Sequence, residues 1–151
     1  VGKRALWVAV ACAAILLIGG LVRVAEKGTD KHTPAAKPIA PGSTVAARGK
    51  ATIDGQQQDV QGSCFAPADG RSVNISLAGA PPTIINVTLD NAQPPNVSSV
   101  VMSASSMAFM YQPGSDGNAE ATQDGNTYHI KGTLLRYGFV SKQIDITVAC
   151  S

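Results

Sequence analysis

Ser72-Val73-Asn74-Ile75-Ser76-Leu77-Ala78, then Gly79-Ala80-Pro81-Pro82, then Thr83-Ile84-Ile85-Asn86-Val87-Thr88-Leu89, decide the fold. In the first run Val73, Ile75 and Leu77 share one side, and Ser72, Asn74 and Ser76 share the other. The last run repeats the pattern with Ile85, Val87 and Leu89. Successive side chains of a strand point to opposite faces, so this period of two marks strands with one face buried and one in water. The Gly-Ala-Pro-Pro break between the runs returns the chain antiparallel to itself.

The same period continues on both sides. Upstream, Thr52-Ile53-Asp54-Gly55 reads as a strand ending in an Asp-Gly hairpin turn. Gln58 to Phe65 is its return, with Val60, Gly62 and Cys64 on one side, and Pro67-Ala68-Asp69-Gly70 turns the chain again. Downstream, Pro94-Pro95 marks a loop, and Val97–Met102 and Ser106–Tyr111 are two apolar runs. Pro113-Gly114-Ser115-Asp116-Gly117 is a turn, and Asn118–Gln123 a weak strand ending at Asp124-Gly125-Asn126. Thr127–Leu135 carries Tyr128, Ile130 and Leu134 on one face, and Lys142–Cys150 closes with Ile144, Ile146, Val148 and Cys150 in phase. This gives about 8–9 short strands with frequent turn signals. The predicted fold is all-β, an antiparallel sandwich or partly closed barrel over residues 48–151.

Cys64 and Cys150 both fall in phase with the buried faces of their strands. An even pair in a membrane-anchored β-domain suggests a disulfide, which in the chain-entropy model stabilises the fold by roughly 4–5 kcal/mol. The alternative is two buried free thiols behaving as small hydrophobes. A disulfide requires an oxidising compartment.

Ala5 to Val22 is an uncharged apolar run. As a helix it extends about 27 Å, close to the hydrocarbon thickness of a bilayer. Lys3, Arg4 and Trp7 precede or open it and Arg23 ends it, as membrane-interface anchors do. Small-x-small sites lie inside the run and not after it, so the sequence predicts a retained single-pass anchor over 1–23 rather than a cleaved signal. Residues 24–47, with Pro34, Pro38 and Pro41, read as an extended linker. With the cysteine pair, the expected topology is N-terminus cytoplasmic, domain extracytoplasmic.

The chain has 151 residues, a formal net charge of +2 and 15% charged residues. No basic stretch alternates with aromatics, which argues against nucleic acid. His32 lies in the linker and His129 is out of phase with the core. They supply neither a zinc set nor a supported Ser-His-Asp triad, and no glycine-rich phosphate loop precedes a helix. Asp116, Asp124 and Asp145 read as turn or surface residues. The Asn-x-Ser/Thr sequons at Asn74, Asn86 and Asn96 read as coincidence in a Ser/Asn-rich domain. No catalytic residue, metal site or cofactor is expected.

From Ile53 to Ser151 the chain resembles the mycobacterial lipoprotein antigens of the nineteen-kilodalton type. The resemblance rests on Ile53-Asp54-Gly55 with Val60 and Gly62-Ser63-Cys64, then Val73-Asn74-Ile75, Pro94-Pro95, and Gly117-Asn118-Ala119 with Ala121-Thr122. Asp124-Gly125, Tyr128 with Ile130, Gly132-Thr133 and Val148-Ala149-Cys150-Ser151 complete it. It implies a non-enzymatic cell-envelope antigen on the outer side of the plasma membrane. The family's lipobox cysteine follows its apolar run. Here Cys12 lies inside the run and no cysteine follows it, so acylation is not carried over. Gly19 and Gly20 offer the small residues on which membrane helices pack.

Two stretches exceed what alternation can bury: Met102–Tyr111 and Leu134–Val140. The expected binding patch is Met107, Met110, Leu135, Tyr137 and Phe139; a covered sheet face or core packing is the plain alternative. The function expected is an accessory subunit or interaction module of a plasma-membrane complex, with integral membrane protein partners. The alternative is an envelope lipid carrier or surface antigen.

Overall fold

The computed structural model of the protein describes residues 38–80, 82–136 and 140–151. The expected anchor over 1–23, its packing residues Gly19 and Gly20, and the first part of the linker lie outside them. So do Tyr137 and Phe139. Among the described residues no helix is long and apolar enough to cross a membrane.

Nine strands form one antiparallel sheet: β1 (Ser43–Ile53), β2 (Gln56–Ala66), β3 (Ser72–Gly79), β4 (Thr83–Asp90), β5 (Val97–Ala104), β6 (Met107–Tyr111), β7 (Asn118–Asp124), β8 (Thr127–Arg136) and β9 (Val140–Cys150). Their order is β6-β5-β4-β3-β2-β1-β9-β8-β7, and β6 also pairs with β8. That pairing closes eight strands into a barrel and leaves β7 as an additional strand on β8. Of the two architectures expected, the barrel is found and the two-layer sandwich is not. Residues 43–47, read as the end of the linker, are the first half of a barrel strand, with Val45 and Ala47 on its inner side.

The inward phases read from the alternation are buried on β3 (Val73, Ile75, Leu77), β4 (Ile85, Val87, Leu89) and β9 (Ile144, Ile146, Val148), and on β2 at Val60 and Cys64, whereas Gly62 between them is exposed. Phe109, Met102, Tyr128, Ile130 and Leu134 fill the rest. Eight strands enclose a space just wide enough for side chains. No buried side-chain nitrogen or oxygen among the described residues lacks a hydrogen-bond partner.

The turns follow their residues. Asp54 and Gly55 both take positive φ, as the two-residue hairpin joining β1 to β2 requires. Ser105 and Ser106 also take positive φ and join β5 to β6. Sequence placed Ser106 in a strand, because serines carry none of the glycine signal such a turn normally shows.

Cys64 on β2 and Cys150 on β9 are disulfide-bonded, with Cα atoms 5.8 Å apart across a sequence separation of 86. Strand β1 lies between these two strands in the sheet. In a flat sheet next-nearest strands stand roughly 9–10 Å apart, so the sheet folds sharply about β1. The inner face of β1 reads Val45, Ala47, Gly49, Ala51, Ile53, small at its centre, which makes room for that fold. A Cβ at Gly49 would meet the carbonyl oxygen of Thr147 on β9, and one at Gly62 the carbonyl oxygen of Ser76 on β3.

Candidate functional site: an apolar row at the barrel seam

Strand pairing aligns outward side chains from neighbouring strands into rows. One row crosses the closure of the barrel: Asn86 on β4, Val101 on β5, Met110 on β6, Leu135 on β8 and Ser141 on β9, each paired with the next. Its three central members are apolar and face outward. Met110 is 49% exposed, and Val101 and Leu135 are half-buried. In the next row Ile84, Ser103 and Ala108 are successive partners, and Ile84 is exposed. Away from these rows, exposed Phe65 stands between Thr44 and Asn74 and is isolated among polar neighbours.

The structure thus brings Met110 and Leu135 of the expected patch into direct cross-strand contact. Met107 is placed differently. It shares phase with buried Phe109, two residues away, and stands on the barrel rim, where the Arg136 guanidinium donates from Nη1 to its Sδ at 2.9 Å. Val101 and Ile84 were not named from sequence. Their signal was present as a second consecutive apolar residue in Val100-Val101-Met102 and Ile84-Ile85, where one must face outward.

The row Asn86–Val101–Met110–Leu135–Ser141 holds no ionisable side chain. Among the described residues no group of three or more His, Cys, Asp and Glu side chains is placed to hold a metal. His129 is half-buried, its Nδ1 at 3.1 Å from the Thr147 hydroxyl oxygen. Two carboxylates fall below the ordinary aspartate range, both because they brace turns. Asp54 does so through the Lys142 ammonium, and then through the Gln143 backbone N–H, which donates to Oδ1 at 2.9 Å. Asp90 does so through the Asn96 side-chain amide, donating at 2.8 Å, and the Asn96 backbone N–H at 2.7 Å. Burial raises the Tyr128 hydroxyl, which accepts from the Gln123 amide at 3.3 Å.

Several surface depressions flank the strands. One of about 480 Å³ crosses the outer side of β1, β9, β8 and β7, and its lining is polar, including Thr52, Asn118, Lys131 and Gln143. Another of about 440 Å³ separates the Pro94-Pro95 loop and Val97 from β7 at Ala119–Thr122.

The chain is 37% identical to lipoprotein LpqH of Mycobacterium tuberculosis strain H37Rv over 161 aligned positions, covering 99% of both chains. The identity to lipoprotein LpqH of Mycobacterium bovis is also 37%, with the same coverage. To lipoprotein LpqH of Mycobacterium avium it is 36% over 114 positions and 70% of each chain. The family model described as Mycobacterium 19 kDa lipoprotein antigen matches residues 42–150, which span the barrel from just before β1 to the disulfide cysteine at the end of β9. With both the barrel and nearly the whole length of the relatives matched, the chain belongs to the Mycobacterium 19 kDa lipoprotein antigen family.

Proposed function

We propose that this member of the family is a membrane-held envelope binding protein. It docks, through the outer row Val101–Met110–Leu135 with Ile84 beside it, onto the extracytoplasmic face of a protein in the same membrane. The observation that carries the reading is the contrast between the two sides of the barrel wall. The inner side is filled by large apolar side chains such as Phe109, Met102 and Leu134. A carrier that swallows a lipid chain needs a hollow interior, so the filled barrel favours surface docking over lipid carriage. On the outer side, exposed apolar residues cluster where β5, β6 and β8 meet. Clustered exposed apolar side chains mark interaction sites more often than scattered ones do. Methionine suits such a face because its flexible thioether adapts to varied shapes. The apolar run over Ala5–Val22 supplies the hold on the membrane in this reading.

A photo-reactive side chain at position 110 tests the reading, with one at Ser76 on the outer side of β3 as control. Irradiation of intact membranes should give a discrete protein adduct from position 110 and not from 76. Equal labelling from both positions, or labelling of lipid alone from 110, would remove the protein-docking reading.

A further inference from the structure

The three methionines of the chain all lie on β5 and β6, in three different environments. Met102 is wholly buried, at 0% exposure, while Met107 and Met110 are 38% and 49% exposed. The two exposed thioethers differ in one respect. The Met107 sulfur accepts a hydrogen bond from the Arg136 guanidinium, 2.9 Å away, and among the described residues no donor reaches the Met110 sulfur.

A peroxide oxidises a thioether by accepting a sulfur lone pair. The O–O bond breaks, an S–O bond forms, and the second oxygen leaves as water or as an alcohol after taking up the proton. Sulfur loses two electrons and the peroxide gains them. The product is a sulfoxide, polar where the thioether was apolar. A lone pair already engaged by a cationic donor is less available for that attack. Access and the sulfur's own hydrogen bonding therefore rank the three residues: Met110 first, Met107 slower, Met102 last.

We propose that Met110 is a peroxide-sensitive modification site set in the apolar row, and that Arg136 protects Met107 from the same reaction. Sulfoxide at Met110 places a hydrogen-bond acceptor between Val101 and Leu135, its two cross-strand partners. That converts the middle of an apolar surface into a polar one and releases whatever apolar surface covers it. This consequence for docking rests on the proposed function; the ranking of the methionines does not.

The test treats the detergent-extracted full chain with hydrogen peroxide and follows each methionine by peptide mass spectrometry. Met110 should convert first. Met107 should convert roughly three- to tenfold more slowly, the ratio that one net hydrogen bond on the sulfur corresponds to, and Met102 should stay unmodified while the protein remains folded. Arg136→Gln should bring Met107 up towards the Met110 rate without changing Met110, with the melting temperature as a check that the barrel persists. Met107 reacting as fast as Met110 in the unaltered chain, or no change in Arg136→Gln, would overturn the protection by Arg136. Met102 reacting alongside the others would overturn the ranking. For docking, peroxide should reduce the yield of a membrane-protein adduct from a cross-linker at Ile84 in the parent, whereas in Met110→Leu the yield after peroxide should equal that variant's own yield before treatment. A yield in Met110→Leu that still falls with peroxide would overturn the switch. Absence of any adduct before treatment would count against the docking surface itself and remove the switch with it, while the methionine ranking would still be read by mass spectrometry.

Discussion

Met110 on β6 and Leu135 on β8 are cross-strand partners, and theirs is the one position at which these two strands pair in the sheet ladder among the described residues. Below Leu135 the same edge of β8 is taken by β7, from Thr133 paired with Asn118 to Thr127 paired with Asp124. The barrel therefore closes at a narrow seam, and the seam is where its outer wall is apolar. An exposed methionine beside a half-buried leucine at that position shields a short ladder of backbone hydrogen bonds and at the same time offers a surface to a partner.

The disulfide holds the fold of the sheet about β1. Cys64 and Cys150 are both buried, and they tie β2 to β9 across β1. Cys64→Ala is expected to lower stability by about 2–5 kcal/mol, read as a lower urea midpoint than the oxidised parent. A midpoint equal to that of the parent would mean that the fold about β1 is held without the bond.

Gly49 and Gly62 permit close approach of neighbouring strands, β1 to β9 and β2 to β3. A methyl group at either would be driven into a carbonyl oxygen of the neighbouring strand, and backbone, unlike a flexible side-chain end, cannot step aside cheaply. Gly49→Ala and Gly62→Ala should each cost about 3 kcal/mol, measured by urea unfolding. Gly114→Ala adds no clash, since nothing lies within 4 Å of its Cβ position, but its φ of 87° favours glycine, so a smaller loss of about 1 kcal/mol is expected there.

Asp54 ties the β1–β2 turn to β9 through the Lys142 ammonium and the Gln143 N–H. These partners favour its charged form, so its folded value lies below the ordinary one. A lowered carboxylate contributes stability fully present above its unfolded value of about 3.9. That contribution is lost as pH falls from there through the lowered folded value. Asp54→Asn should remove this part of the acid dependence, seen as a shallower fall in melting temperature between about pH 5 and 2. An unchanged acid profile in Asp54→Asn would show that the carboxylate adds nothing beyond what the amide supplies.

Much of the barrel was legible in the sequence because alternation is a direct consequence of strand geometry. Val73, Ile75 and Leu77, and Ile144, Ile146 and Val148, point where their period says they must. The cysteine pair was legible for the same reason, since both cysteines sit in the buried phase. Closure was not legible: nothing in Met107–Tyr111 says which strand lies on its far side, because pairing between strands distant in sequence is fixed by the whole sheet and not by local pattern. The same limit hid part of the candidate site. Met110 and Leu135 stood out as surplus apolar residues, but that they meet, with Val101 beyond, depends on the register across β5, β6 and β8. Met107 stood out equally and lies on the rim instead, because its phase follows Phe109. The turn at Ser105-Ser106 was missed because its residue types argue against the conformation they adopt.

Met110→Asp tests whether the seam row is structural or functional at its most exposed point. Its side chain is about half in water, so the folded state should lose no more than about 0.5 kcal/mol. A differential scanning trace that matches the parent is the expected result. Loss of the cooperative transition would place Met110 among the residues that hold the barrel closed.

Leu135→Asp, extracted in mild detergent and compared with the parent, decides whether this row is where the protein binds. Two quantities are read from each preparation: the amount of copurifying membrane protein per barrel, and the melting temperature. With docking through Val101, Met110 and Leu135, the substitution removes the stoichiometric partner while the melting temperature falls by only a few degrees, as about 1 kcal/mol in a domain of this size would give. A partner retained at the parental ratio on a folded barrel would contradict docking through the seam row.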